Sequence, residues 1–240
     1  MHTLAPQVNV EVASRRHSAT VIFFLLATGA ATLVSQAISQ GGPVEFQAGQ
    51  RLPTYLRLVV IEWIVFAYVV FGIRRRGRTA SMVIDACPGS PRRWFSSVAF
   101  GIGATVLWMV LGAIIMAALR PSPDELRSIQ SFLPRGLAEK LGFAFLTLTA
   151  GFCEEFVYRG YLQRQFQAWT GSLTIAIVLQ AGLFALLHAT LPWKFVMSVT
   201  AMALFLGVLV GWRKTLIPAI LAHTIVNLLG GLLSSAGQTA

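Results

Sequence analysis

Long apolar runs, each closed by arginines, prolines or glycines, constrain this chain more than any other feature. The run LRLVVIEWIVFAYVVFGI, residues 56–73, carries only Arg57 and Glu62 as charges and stops at Arg74, Arg75, Arg76 and Arg78. A helix that crosses a bilayer needs about 20 predominantly apolar residues. Further runs of this kind cover residues 21–38, 95–119, 137–169, 173–189, 195–212 and 215–233. The run 137–169 is longer than a bilayer requires and is expected to tilt or protrude. Ahead of it, Pro121 and Pro123 interrupt the chain, and DELRSIQSFLPRG reads as a short interfacial or lid-like helix. The expected fold is all-α, a polytopic transmembrane helical bundle with about seven spanning helices. A polar tail fills residues 1–20 and the bundle residues 21–235.

Composition agrees. Hydrophobic residues make up 55% of the chain and charged ones 12%, against about a quarter charged in soluble domains. The net charge of +10 sits mostly at the ends of apolar runs. That is where the positive-inside rule and anionic lipid place it, so membrane lipid is the expected partner and nucleic acid is not. The loop with Arg74, Arg75, Arg76, Arg78, Arg92 and Arg93 is expected on the cytoplasmic side. The N-terminus is then inside, the C-terminus outside, and Arg120, Arg127, Arg135 and Lys140 external. Arg15-Arg16-His17 precede the first run, which reads as an uncleaved signal-anchor because more spans follow. A multi-pass protein of the cell membrane results. Cys87 and Cys153 form no CxxC pattern and read as structural.

Within the fourth run, GFCEEFVYRG holds Glu154, Glu155 and Arg159. A charge at the bilayer centre costs about 2.5–3.5 kcal/mol on insertion scales, so three in one segment need a reason. Glu155 and Arg159 are spaced i, i+4 and can pair on one helix face. Glu154 points about 100° away and is left over. A carboxylate without a partner in an apolar site suits general acid–base work; a helix-end stabilising cluster is the other reading. The fifth run sets Phe184 and His188 at i, i+4, and the seventh sets His223 and Asn227 likewise. At the helical rise, Glu154 and His188 lie about 24 and 27 Å from the turn near residue 170. His223 and Asn227 lie about 15 and 21 Å from the turn near Arg213. The three sites can therefore meet in one cavity inside the bundle.

The series Glu154-Glu155-x-x-x-Arg159, Phe184-x-x-x-His188 and His223-x-x-x-Asn227, in that order on successive helices, resembles the CPBP family. These are the CAAX prenyl endopeptidase and bacteriocin-processing (Abi) intramembrane proteases. The likeness covers residues 137–233, the proposed catalytic core, and the first three runs carry no signature of it. It implies an intramembrane endopeptidase acting on a protein or peptide, in CAAX-type maturation or bacteriocin immunity. Glu154 and His188 would hold and activate a water, His223 and Asn227 would stabilise the oxyanion, and Glu155, Arg159 and Phe184 would support them. The metal question stays open in the resemblance: a glutamate mechanism requires no cofactor and is preferred, whereas a zinc ion would take Glu154, His188 and His223.

Two other classes fit the same residues. Intramembrane Glu, His and Arg also build proton relays, so a proton-coupled transporter is one alternative, although no inverted repeat is visible. A non-catalytic immunity or scaffold protein is the other, although every motif position holds a chemically competent residue. Among weaker features, Tyr158 reads as packing, Glu62 as snorkelling to a helix end near Arg57 or else as a second buried polar site, and Gln180 as an interhelical hydrogen bond. Gly101, Gly103 and Gly112 suggest close helix contacts.

Overall fold

A computed structural model describes residues 10–38, 45–47, 49–84 and 90–236. Cys87 lies outside the described residues. The elements are α1 (Arg15–Ile38), α2 (Arg51–Arg74), α3 (Ala80–Ile84), α4 (Pro91–Leu119), α5 (Pro123–Phe132) and α6 (Leu137–Glu154). A π-helical segment, Glu155–Leu162, joins α6 to α7 (Gln163–Thr170), and α8 (Leu173–Leu187), α9 (Trp193–Arg213) and α10 (Ile217–Ala236) follow. No strand occurs among the described residues.

The fold is the expected all-α membrane bundle. Five helical stretches are long and apolar enough to cross a membrane: Arg15–Ser35, Arg51–Arg74, Pro91–Leu119, Leu137–Thr170 and Trp193–Arg213. Leu173–Leu187 and Ile217–Leu233 are apolar but shorter, so the fifth and seventh of the seven expected runs are helices of less than spanning length. Large apolar side chains such as Phe23, Phe24, Ile64, Val110 and Ile114 point outward. In water this surface would be costly; against hydrocarbon it is the matching face.

Burial identifies the central element. The most apolar window of Leu137–Thr170 is 61% buried, against 17% for Pro91–Leu119. Residues lacking a side chain let other helices close on it. A Cβ at Gly151 would collide with Thr224 of α10, and one at Gly231 would collide with Phe143 of α6. The pairings 151 with 224 and 143 with 231 show α10 running antiparallel to α6. A Cβ at Gly101 would lie 2.9 Å from the Leu221 side chain, so this glycine brings α4 against α10 as expected. Gly103 faces open space, and Gly112 meets only Trp108 of its own helix; the expectation of close helix contacts fails at both. Gln180 of α8 donates to the Ala203 carbonyl of α9 at 3.1 Å, which is the interhelical bond anticipated.

The chain ahead of the first run is not wholly a free tail. Val12 and Ala13 are buried, and both backbone N–H groups donate to Gln165 Oε1, at 2.8 and 3.1 Å. Helix α1 then starts at Arg15, within the stretch expected to be polar tail.

The short α5 is set by a capping box. Ser122 Oγ accepts from Glu125 N–H, and the Glu125 carboxylate accepts from Ser122 N–H at 2.7 Å. Lys194 of α9 joins Glu125 at 3.0 Å. The Ser122 N–H first, and Lys194 with it, holds the Glu125 carboxyl below the usual carboxylate range. At the other end, Arg51 donates to the Ser131 carbonyl and Tyr55 to the Phe132 carbonyl. Helix α5 is thus strapped between α2 and α9.

Candidate active site

The acidic motif does not lie on a regular α-helix. From Glu155 to Leu162 the backbone is π-helical, and every residue in that segment is buried. A π-turn widens the helix by one residue and is found disproportionately at functional sites. Gly160 permits the close approach behind it: a Cβ there would come within 2.7 Å of Val83 and 2.9 Å of Leu216.

Glu155 is the hub. It is fully buried and its Oε1 accepts from Arg159 Nη1 at 2.9 Å and from His223 Nδ1 at 2.8 Å. The i, i+4 ion pair anticipated for Glu155 and Arg159 is therefore present. The guanidinium of Arg159, also fully buried, lies 4.7 Å from the centre of the Phe184 ring. Burial of this charge is tolerable because a carboxylate and an aromatic face both meet it.

Glu154 takes no part in that ion pair. One of its oxygens lies 3.7 Å from His223 Nε2, and its side chain is 20% exposed where that of Glu155 is sealed. The two glutamates have separated roles: one braces, the other faces accessible space. His223 stands between them, its Nδ1 on Glu155 and its Nε2 toward Glu154.

Phe184 ties the second motif to the same cluster. Its ring lies 4.4 Å from that of His188, 6.3 Å from that of His223 and 4.9 Å from that of Tyr158. Tyr158 is buried in this packing, as expected. His188 is the residue after the last turn of α8 rather than a residue inside a span, and its Nδ1 lies 2.8 Å from the Phe184 carbonyl. A carbonyl accepts only, so Nδ1 carries a proton and Nε2 is the ring nitrogen left outside that bond. Asn227 sits one turn beyond His223 on α10 and is half-buried. The structure therefore brings Glu154, Glu155, Arg159, Phe184 and His223 together; His188 meets this group only through Phe184 of its own helix, and Asn227 has no direct bond to them.

Of the two readings of Glu62, the preferred one fails and the second buried polar site holds. It makes no ion pair with Arg57 among the described residues, and Oε2 is buried without a hydrogen-bond partner. On the same helix Trp63 and Phe66 pack against Phe152 beside the motif, with ring centres 5.9 and 5.3 Å away. Position in mid-run, rather than at an end, was the available signal. Cys153 is a buried free thiol.

The metal alternative can be tested on geometry. No three His, Cys, Asp or Glu side chains among the described residues gather where an ion could be shared. His223 Nδ1 is engaged by Glu155 and His188 Nδ1 by a carbonyl. Glu154, His188 and His223 do not converge on one ion position in this arrangement, while each histidine keeps Nε2, the nitrogen a metal-ligating histidine uses when its Nδ1–H is held by a carboxylate or carbonyl.

The class these features define is an integral membrane protein, all-α, with a carboxylate, histidine and arginine cluster buried at mid-helix. Residues 137–229 match the family described as type II CAAX prenyl endopeptidase Rce1-like, so the resemblance read from the three motifs holds over that segment. The chain is also 35% identical over 85 residues to the uncharacterized protein YpbD of Bacillus subtilis (strain 168). That alignment takes in 35% of this chain and 40% of the relative, so the chain spans well under half of its length. No solved structure matches the chain significantly.

Proposed function

We propose that the chain is an intramembrane endopeptidase that hydrolyses a peptide bond with a water activated by Glu154 and His188. The observation that carries this reading is the tether from Glu155 to His223, 2.8 Å long in a fully enclosed setting. It fixes the α10 histidine beside the one glutamate that remains accessible.

In this mechanism Glu154 takes a proton from water while His188 Nε2 accepts the second water hydrogen and orients it. The hydroxide oxygen attacks the carbonyl carbon. His223, held through Nδ1–H by Glu155, turns its other ring nitrogen to the reacting centre; as the imidazolium it donates Nε2–H to the oxyanion. The Asn227 amide is the second donor. A single oxyanion donor is worth about 3–4 kcal/mol in an acyl-transfer enzyme. When the tetrahedral intermediate collapses, the C–N bond breaks and the amine leaves with the proton from Glu154. The bracing carboxylate orients the imidazole much as a triad aspartate does.

A CAAX-type prenylated peptide is the first substrate to try, given the Rce1-like description; unlipidated peptides test the maturation and immunity readings. The purified chain, reconstituted in liposomes, should cleave such a peptide, and Glu154→Gln and His188→Ala should each abolish cleavage while inserting normally. Cleavage retained by purified Glu154→Gln would overturn the assignment.

A further inference from the structure

Away from the cluster, an apolar groove of about 510 Å³ runs between α4 and α9. Phe100, Gly103 and Leu107 form one wall, and Phe205, Val208 and Trp212 the other. Each set repeats at helical spacing, so the walls run alongside each other for about 10 Å, the rise of seven residues. Gly103 makes the floor: a Cβ there would meet nothing within 4 Å. Among the lining groups the Trp212 indole N–H is the sole side-chain donor. An occupant must therefore be an apolar chain.

The groove has one charged end. The Arg213 guanidinium lies 3.9 Å from the centre of the Phe100 ring and 5.5 Å from that of Trp212, so it caps the aromatic walls. One of its nitrogens donates to Ser96 Oγ at 3.0 Å. No carboxylate pairs with it among the described residues. Helices α4, α9 and α10 contain no Asp or Glu. Arg92 and Arg93 precede Ser96 by four and three residues, which sets them on its side of α4 one turn nearer the helix start. Lys214 follows Arg213 directly. An apolar slot that ends under several cations is complementary to one ligand chemistry: an acyl chain carrying an anionic head. Basic pockets between membrane helices recognise anionic lipid in this way.

We propose that this groove is a binding site for an anionic glycerophospholipid, one acyl chain lying between α4 and α9 and the phosphate on Arg213. The site is separate from the Glu154 cluster, and the proposal stands whether or not the chain is a peptidase.

The test uses the full chain, stripped of lipid in mild detergent, then exchanged into vesicles of phosphatidylglycerol and phosphatidylcholine in equal amounts. Lipid retained after re-extraction is read by native mass spectrometry. Wild type should retain phosphatidylglycerol in preference. Arg213→Gln should cut that preference about fivefold, the weight of one cation near an anionic surface, and leave phosphatidylcholine retention unchanged. Gly103→Leu fills the floor and should abolish retention of both lipids; Val208→Trp obstructs from the opposite wall should the first variant fail to fold. Arg127→Gln, at an exposed pair with Asp124, should behave as wild type. Equal retention of both lipids by wild type would overturn the proposal. So would undiminished phosphatidylglycerol on both obstructed variants. A dimer that dissociates when the groove is filled would assign it to a second copy, and loss of lipidated-peptide binding with phospholipid retained would assign it to substrate; either result also refutes the proposal.

Discussion

Adding one methyl group at Gly151 should push α10 away from α6 and do little else. Gly151 lies on α6 three residues before Glu154, and a Cβ there would collide with Thr224 Oγ1. The Thr224 Cβ would be 3.0 Å away and its Cα 3.2 Å. Relaxed carbon contacts are about 3.5–4.0 Å, and the Thr224 Cβ, the nearer of the two carbons, is fixed to the backbone and cannot rotate aside. Helix α10 must therefore retreat by about 0.5 Å. Thr224 follows His223 directly, so the 2.8 Å bond from His223 to Glu155 stretches past the usual N–H···O optimum. Misplacement of about 1 Å costs about 10²-fold in rate. Gly151→Ala should then lower kcat about 10- to 100-fold, or about 1.4–2.7 kcal/mol of barrier. The assay is cleavage of a prenylated CAAX peptide in liposomes at matched amounts of inserted protein. Thr224→Gly removes both offending side-chain atoms and should restore most of the rate in the double variant. Full activity in Gly151→Ala, or the same loss with and without Thr224→Gly, would refute the argument.

Arg159→Met leaves Glu155 enclosed with only His223 as partner, and removing one member of a buried pair costs about 3–5 kcal/mol; the unfolding midpoint in detergent should fall accordingly, and Arg159→Lys should recover little because an ammonium does not reproduce the planar guanidinium that lies over Phe184. Glu62→Leu removes a buried carboxylate oxygen that has no partner, so the same measurement should show a gain of about 1–3 kcal/mol. The α5 strap should respond to acid. Its Glu125 carboxyl is held below the ordinary value of 4.5, so the folded state binds fewer protons there than the unfolded state. The latch is complete above that value and is lost as pH falls below it through the folded one. Amide exchange protection in α5, corrected for intrinsic rate, should drop over that range in wild type and be independent of pH in Glu125→Gln.

Much of the architecture was legible because lipid leaves a chain few options. Arginines and prolines mark the ends of apolar runs, and α2, α4 and α9 begin and end within a few residues of the expected limits. The capping box of α5 follows from Ser122 and Glu125 three apart, a local rule. Failures occurred where three-dimensional neighbours decide. Gly103 and Gly101 look alike in sequence, yet one faces a groove and the other a helix. Glu62 is one polar residue in an apolar run, and nothing local says that one of its oxygens is sealed off without a partner.

The π-helical segment is the deepest of these misses, and it bears on the chemistry. On a regular helix two consecutive glutamates diverge by about 100°, so a single histidine on a neighbouring helix could not easily address both. The structure nonetheless sets His223 between Glu155 at 2.8 Å and Glu154 at 3.7 Å. Glu154 and Glu155 themselves keep ordinary right-handed helical dihedrals, and the π-helical hydrogen bonding starts at Glu155. Arg159 stays within 2.9 Å of Glu155, and the two nitrogens of the His223 ring span the divergence between the acids. No residue pattern in EEFVYRGYL announces a π-turn, because the cause lies in what surrounds it: Gly160 under Val83 and Leu216, and Phe184 beneath the guanidinium. The motif supplies the groups, and the packing of α3, α8 and α10 around it supplies the angle at which they meet.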